Sequence, residues 1–163
     1  MLTHIQQKIY TQDKLVFRLA QWKFQNKKVV FTNGCFDLLH YGHIDYLAAA
    51  RALADKLIVG INATKSVQRL KGKHRPIKDD LTRQHLLASL FFVDVVIEFS
   101  EDTPLNLIQL IQPDILVKGG DWSVENIVGG KEVLANGGAV KSLPFVEGYS
   151  TTALEEKIKR QQY

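Results

Sequence analysis

Two histidines, His40 and His43, stand three residues apart with Gly42 between them, shortly after an apolar run. Two imidazoles near a helix N-terminus can donate hydrogen bonds to phosphate oxygens, and a glycine there lets the backbone approach a bulky anion. Fixed donors of this kind stabilise the charge that develops when a phosphoryl or nucleotidyl group is transferred. The same spacing can bind a metal, but we predict none because no third histidine completes a ligand set.

A basic segment is the second candidate for anion chemistry. It carries six basic residues and no acid before Asp79, namely Lys65, Arg69, Lys71, Lys73, Arg75 and Lys78. Because the whole chain has a formal charge of only +4, this local excess indicates an anionic ligand, and an ordinary solvated loop is the alternative. Aromatic residues are not interleaved with these cations, so we expect no nucleic acid as a partner.

Hydroxyl and glycine residues supply two further candidates. Ser150 and Thr151 precede a helical pattern, where hydroxyls bind phosphate or cap the helix. The alternative there is a plain capping box between Thr152 and Glu155. Gly119 is the first of two glycines that end an apolar run, and it would let a ligand approach the backbone closely.

Alternating strands and helices must position these residues. Five short apolar runs indicate strands at 28–32, 57–61, 94–97, 115–117 and 140–143. Continuous apolar runs are typical of a parallel sheet that is covered on both faces, and helical patterns lie between the runs. We therefore predict an α/β fold, with right-handed crossovers and a doubly wound sheet.

Helices are predicted at about 13–25, 43–54, 81–92, 103–111 and 131–136, and from residue 151 onward. We expect Asp79 or Asp80 to cap the third of these, and Thr103 to cap the fourth with Pro104 at its first helical position. Residues 62–80 show no clear element. Unstructured connections of this length in a compact domain are usually functional or mobile.

Composition bounds the class of protein. The 163 residues are 45% hydrophobic and 23% charged, which is typical of one globular domain spanning residues 1–163. No apolar run is long enough for a membrane span, the N-terminus lacks a signal-peptide pattern, and Cys35 has no second cysteine to pair with. We therefore expect a cytoplasmic protein that does not contact membranes.

The segment His40-Tyr41-Gly42-His43 resembles the His-x-Gly-His signature of nucleotidyltransferases related to class I aminoacyl-tRNA synthetases. The preceding Asn33-Gly34-Cys35-Phe36-Asp37-Leu38-Leu39 is similar to the glycerol-3-phosphate cytidylyltransferase branch, and Tyr149-Ser150-Thr151-Thr152 resembles that superfamily's Ile-Ser-Thr-Thr motif. The resemblance implies a Rossmann-like three-layer α/β/α sandwich with a five-stranded parallel sheet in the order 3-2-1-4-5.

The resemblance also implies residue roles. It gives the catalytic role to His40, His43 and Lys71. It implies nucleotide contacts for Asn33, Gly34, Cys35, Phe36, Gly42, Gly119, Asp121, Ser150 and Thr151. It implies substrate contacts for Asp37, Lys73, Arg75 and Lys118. One departure matters, since Phe145 stands where the cytidylyltransferases place an arginine that helps to hold CTP.

The runs Arg69-Leu70-Lys71-Gly72 and Leu116-Val117-Lys118-Gly119-Gly120-Asp121 look most like the nucleotidyltransferase domain of ADP-heptose synthase. This resemblance implies transfer of AMP from ATP to a sugar 1-phosphate, namely D-glycero-D-manno-heptose 1-phosphate, a precursor of lipopolysaccharide, with release of pyrophosphate. Mg²⁺ would be carried on the triphosphate. In many bacteria this domain is fused to a sugar kinase. Because the 163 residues include no region of that size, we expect a separate kinase. The family also tends to form dimers, so we expect a homodimer.

Two rival functions stay open at this stage. The nearer one is a cytidylyltransferase that acts on glycerol 3-phosphate or a related alcohol phosphate, and nucleotide competition separates it from an adenylyltransferase. The other is a nucleotide sensor or RNA-binding module that uses the basic segment without catalysis. Release of pyrophosphate in the presence of a sugar phosphate would exclude this second rival.

Overall fold

The computed structural model describes residues 1–120 and 122–160, so Asp121, predicted as a nucleotide contact, lies outside the described residues. Within them the chain folds around one parallel sheet of six strands, β1 to β6 in chain order: Ile9–Tyr10, Val29–Gly34, Lys56–Asn62, Val95–Phe99, Ile115–Gly119 and Ala139–Leu143. Their order across the sheet is β1-β4-β3-β2-β5-β6. The Rossmann-like α/β prediction is confirmed.

The sixth strand is the correction to the predicted sheet of five. Strand β1 pairs in parallel with β4 through Ile9 with Val96 and Tyr10 with Ile97, and it adds an outer edge to the sheet. The other five strands have the predicted order. Strand β1 was missed because two residues are too few to show any periodicity in the sequence.

Eight α-helices accompany the strands in the part of the chain that the structure describes. They are α1 to α8 in chain order: Leu2–Gln6, Gln12–Phe24, Tyr41–Arg51, Thr64–Lys71, Asp80–Ser89, Leu105–Ile111, Gly130–Ala135 and Thr151–Arg160. Helices α2, α3, α5, α6, α7 and α8 lie close to the predicted positions.

Two local predictions were wrong. Residues 62–80 are not a structureless loop, because α4 occupies Thr64–Lys71 and buries only Ser66 and Val67. Such a narrow buried stripe leaves little apolar periodicity to detect. Thr103 does not cap α6, which follows Pro104 without a side-chain cap. The capping role predicted for Asp79 is confirmed, since its side chain accepts a hydrogen bond from the backbone N–H of Thr82 at 2.7 Å.

Two apolar layers cover the sheet and give the three-layer architecture. On one face, Phe31 and Ile58 pack with Leu15 of α2 and Ile108 of α6. On the other face, neighbouring strand residues such as Val30, Leu57 and Val59 pack with side chains of α3 and α5. Because successive side chains of a strand point to opposite faces, the continuous apolar runs are what a sheet buried on both sides requires. Among the described residues, no helix has the length and apolar character needed to cross a bilayer.

Candidate nucleotidyl-transfer site

A cavity of about 500 Å³ opens at the carboxyl ends of the strands. The described cavity-lining residues that the sequence had singled out as catalytic, nucleotide or substrate contacts are Asn33, Gly34, Cys35, Phe36, Asp37, His43, Lys71, Lys118, Gly119 and Thr151. In open α/β sheets, ligands bind at this end of the strands, where the strand order reverses. Here the chain leaves β2 and crosses to β3 on one side, while β5 lies on the other.

The two histidines sit together at the start of α3. His40 immediately precedes the helix in an extended conformation and His43 lies in its first turn, so that their ring centroids are 3.9 Å apart. The ring of Phe36 packs edge-on against His43, with centroids 5.3 Å apart. The Nδ1 atoms of both histidines are buried and have no hydrogen-bond partner among the residues the structure describes. Buried polar atoms are normally satisfied, so this pair is suited to a ligand that brings its own polar groups.

The electrostatic environment keeps the histidines neutral. Burial lowers the pKa of His40, and burial together with the charges of His40 and Lys71 lowers the pKa of His43 to about 4. At neutral pH each free imidazole therefore carries one N–H and can donate one hydrogen bond. Bound phosphates would raise both pKa values by adding negative charge.

Gly42 fits the close packing around His40. A Cβ atom added at Gly42 would lie 3.2 Å from the His40 ring and 3.3 Å from the Cβ of Tyr149. The residue is buried, so a larger side chain would press the histidine out of place. Gly42 thus helps to bring the start of α3 against the segment that precedes α8.

Asp37 is the centre of a hydrogen-bond cluster. Its buried carboxylate accepts bonds from the Arg75 guanidinium at 2.7 Å and from the backbone N–H groups of Ile77 and Lys78, both at 2.9 Å. Burial alone would raise the pKa of Asp37, but these hydrogen bonds more than offset it and hold the pKa below its usual range. The carboxylate therefore fastens the segment between α4 and α5 to the end of β2, and its predicted role in binding substrate stays a prediction.

The basic residues of the segment divide into two groups. Lys71, at the end of α4, lines the cavity. Arg75 instead forms ion pairs with Asp37 and with Glu155 of α8, while Lys73 is exposed and is not among the cavity-lining residues. The structure thus brings one of the three predicted cations to the cavity and uses another to join the segment to α8.

Lys118 supplies a cation from the opposite side. It lies near the end of β5, lines the cavity, and places its ammonium group 3.5 Å from the side-chain oxygen of Asn33 on β2. Burial lowers the pKa of Lys118. An anion bound in the cavity would raise this pKa again and so favour the charged form of Lys118.

An apolar end of the cavity lies beyond Gly119. A Cβ atom added there would lie 2.7 Å from the Phe145 ring, so the glycine allows that ring to lie directly against the strand. Trp122 also lines the cavity and donates a hydrogen bond from its indole N–H to the Gly119 carbonyl at 3.1 Å. The sequence signal for Trp122 is its position two residues after the glycine pair Gly119-Gly120.

The start of α8 closes another side of the cavity. Thr151 lines the cavity, and the Ser150 hydroxyl accepts a hydrogen bond from the Ala153 N–H at 3.0 Å, which caps the helix. The alternative capping box of Thr152 and Glu155 does not form, because Thr152 lies inside the helix and Glu155 pairs with Arg75. The Ser150 hydroxyl keeps its own proton for donation to a ligand.

Arg83 is a residue of the site that sequence reasoning missed. It is fully buried and donates to the carbonyl oxygens of Cys35 at 2.7 Å and Asn62 at 2.8 Å, and it also pairs with Asp80. Its guanidinium therefore ties together the ends of β2 and β3 directly beneath the cavity. The one signal in the sequence is its position four residues before the buried Leu87, on the core-facing side of α5.

The sequence pattern described as cytidylyltransferase-like matches residues 31–157, which include every part of the cavity described above. The chain belongs to the cytidylyltransferase-like family. Members similar to it include proteins named bifunctional protein HldE. That of Shewanella amazonensis is 53% identical over 150 residues, covering 92% of this chain and 32% of the relative, and that of Citrifermentans bemidjiense is 52% identical over 151 residues, covering 93% and 31%. The chain thus spans about a third of the length of these curated relatives.

Solved structures of other proteins share the architecture of this cytidylyltransferase-like chain. A lipopolysaccharide core biosynthesis protein from Thermoplasma volcanium superposes with a TM-score of 0.61 at 29% identity, covering 76% of this chain and 99% of that one. A pantoate-beta-alanine ligase from Francisella tularensis gives a TM-score of 0.61 at 18% identity, covering 95% and 78%, which shows the fold alone.

Proposed function

We propose that this chain transfers AMP from ATP to a sugar 1-phosphate, D-glycero-D-manno-heptose 1-phosphate, and releases pyrophosphate. The observation that carries the proposal is the closely packed histidine pair, of which His43 lines a cavity that also has cations and an apolar aromatic end. Membership of the family supports nucleotidyl transfer. The similarity to HldE proteins, together with the resemblance to ADP-heptose synthase, supports the choice of nucleotide and sugar.

The reaction is an in-line displacement at the α-phosphorus. An oxygen of the sugar phosphate forms a bond to that phosphorus while the bond to the β-phosphate oxygen breaks, and pyrophosphate leaves with the electron pair. The attacking oxygen is already anionic, so the site needs no strong base and works by positioning and charge stabilisation. His40 and His43 donate to the oxygens that gain charge, and Lys71 and Lys118 neutralise the phosphates from opposite sides of the cavity.

Mg²⁺ would be carried mainly by the oxygens of the triphosphate. The described residues hold no group of three histidine, cysteine or acidic side chains able to bind a metal, and the carboxylate of Asp37 is already occupied by three donors. Mg²⁺ commonly keeps several waters and binds through substrate phosphates, which fits this donor set. When bound, it would neutralise charge on the triphosphate.

The second candidate, a cytidylyltransferase acting on an alcohol phosphate, is favoured by the family to which the chain belongs. The base end of the cavity favours adenine. Phe145 and Trp122 form an apolar aromatic wall beside Gly119, and an arginine that could bond to cytosine is missing from position 145. Purines gain more than pyrimidines from contact with such a wall.

Pyrophosphate release tests the proposal. ATP and CTP are each combined with heptose 1-phosphate and with glycerol 3-phosphate, and His43→Ala serves as the inactive control. We expect turnover with ATP and the sugar phosphate. Turnover only with CTP and glycerol 3-phosphate would establish the second candidate, and no turnover with any pair would favour a nucleotide sensor. A homodimer, and a sugar kinase that supplies the heptose 1-phosphate, are further parts of the proposal.

A further inference from the structure

The cavity has a second wall that neither the phosphates nor the base would use. It is formed by the turn that joins β4 to α6, which contributes Asp102, Thr103 and Pro104, and by the segment at residues 126–128 after β5. That segment crosses over the sheet because Ile127 packs in the same apolar cluster as Leu107 and Ile108 of α6. The two stretches of chain thus face the histidines from across the cavity.

The separation of the two walls suits a sugar. Strands β2 and β4 are separated by β3, so their ends lie about 10 Å apart, two inter-strand spacings. A phosphate held by the histidines at the end of β2 would direct the group attached to it across this gap. The distance matches a pyranose ring that carries its phosphate at one end.

The polar groups of the second wall bind hydroxyls rather than phosphates. Asp102 would repel a phosphate, but a carboxylate accepts bonds from several hydroxyls. The Arg69 guanidinium donates to Oδ1 of Asp102 at 2.6 Å and to the Ser100 carbonyl at 2.6 Å, which fixes the carboxylate and leaves its other oxygen available. Thr103 and Asn126 add a hydroxyl and an amide, each able to donate and to accept.

The cavity lining thus offers two kinds of group. His43, Lys71 and Lys118 suit an anionic phosphate, and Asp102, Thr103 and Asn126 suit neutral hydroxyls. A sugar phosphate that places its phosphate against the first set brings the phosphate, and not a ring hydroxyl, to the attacking position.

We propose that Asp102, Thr103 and Asn126 form the sugar subsite and bind hydroxyl groups of the acceptor's ring and side arm. The inference rests on the proposed function for the identity of the acceptor. It assigns recognition of the sugar to the turn after β4 and to the segment after β5, with Arg69 of the basic segment holding Asp102 in place.

Three variants test the subsite. Thr103→Val removes the hydroxyl at nearly constant shape, Thr103→Ser restores it, and Asp102→Asn removes the charge. We expect the KM for heptose 1-phosphate to rise at least about tenfold in Thr103→Val and Asp102→Asn, as for loss of a hydrogen bond in a site built around hydroxyls, while the KM for ATP stays within about twofold. Thr103→Ser should restore a near-normal value. Glu156→Gln, which removes an exposed carboxylate paired with Arg160, is the matched control and should change neither constant.

Calorimetric binding separates failure of the subsite from failure of the proposed function. Heptose 1-phosphate is titrated into each protein in the presence of α,β-methylene-ATP, which does not react, and glycerol 3-phosphate is the comparison ligand. Weaker binding of heptose 1-phosphate by Thr103→Val and Asp102→Asn, with binding of glycerol 3-phosphate unchanged, supports the subsite even if turnover fails. Equal affinity of all the proteins for heptose 1-phosphate overturns it, even if the unmodified enzyme is active.

Discussion

Substitution of Asp37 by asparagine should destabilise the fold, because the carboxylate joins three donors from the segment after α4. The asparagine amide keeps one acceptor oxygen and turns an NH₂ group toward a donor. If the retained oxygen faces the backbone N–H groups of Ile77 and Lys78, the bond from Arg75 is lost. The side chains of Asp37 and Arg75 are 5% and 20% exposed, so this is a largely buried pair.

The size of the effect follows from these contacts. A hydrogen bond to a charged group contributes about 1.5–3 kcal/mol, and breaking a buried ion pair costs about 3–5 kcal/mol when the remaining charge has no partner. Arg75 retains Glu155, so the lower range applies, and we expect a loss of about 2–3 kcal/mol. For a chain of this length the corresponding fall in Tm is about 5–10 °C.

Urea unfolding followed by circular dichroism measures the loss, and Glu156→Gln should stay within about 0.5 kcal/mol of the unmodified chain. The folded-state pKa of Asp37 is lowered, so its contribution is present above the ordinary aspartate pKa of about 3.9 and is lost as the pH falls through the folded value. The difference in the free energy of unfolding between the unmodified chain and Asp37→Asn should therefore shrink below about pH 4. Unchanged unfolding in Asp37→Asn, with a raised KM for the sugar phosphate, would show that the carboxylate binds substrate instead.

Four further predictions concern catalysis, the pKa of His43, the choice of base and the basic segment. His40→Ala and His43→Ala should each lower kcat roughly a hundredfold with a smaller effect on nucleotide affinity; near-normal turnover of a folded His43→Ala protein would contradict the mechanism. In the free chain, NMR titration should find His43 neutral down to about pH 4, so that stability falls as the pH drops from about 6.5 toward that value, because the unfolded chain takes up the proton first. The unmodified enzyme should prefer ATP over CTP at least about tenfold in kcat/KM, equal to about 1.4 kcal/mol, and Phe145→Arg should narrow this gap, whereas a preference for CTP would reverse the assignment of the base. Hydrogen exchange should show that residues 62–80, chiefly those outside α4, become more protected when triphosphate and sugar phosphate bind; equal protection in both states would rule out a closing segment.

The strands were predictable because burial on both faces leaves an uninterrupted apolar signature. The apolar residues of the runs that became β2 to β6 pack in one or the other of the two layers, as Val30 and Phe31 do on opposite faces. Strand β1 and helix α4 carry no such signature. The first is two residues long, and the second is a polar helix held mainly by its buried Ser66 and Val67. A local sequence pattern therefore predicts a strand or a helix only where burial leaves a run, or a regular spacing, of apolar residues.

The same distinction separates the features of the site that the sequence predicts from those that it does not. The histidines and Gly119 could be singled out because the pattern around each is local, namely a helix start after a strand for the histidines and a strand end for Gly119. The partners of Asp37 and Arg75 were not predictable, since Asp37 bonds to a residue 38 positions away and Arg75 also pairs with a residue of the last helix. Residue types that bind phosphates also form buried ion pairs, and only the fold decides between these uses.

The buried Arg83 explains how the phosphate end of the cavity can act without rearranging. Donors that stabilise a transition state are effective when they are already fixed, since no energy is then spent on orienting them during the reaction. The Arg83 guanidinium holds the carbonyl groups of Cys35 and Asn62, at the ends of two neighbouring strands, in one rigid arrangement. Asp37, two residues after Cys35, fastens the segment that follows Lys71 to the same strand end. Lys71 thus ends a helix whose following connection is anchored at Asp37, and in the proposed reaction its exposed side chain would follow the phosphates from ATP to product.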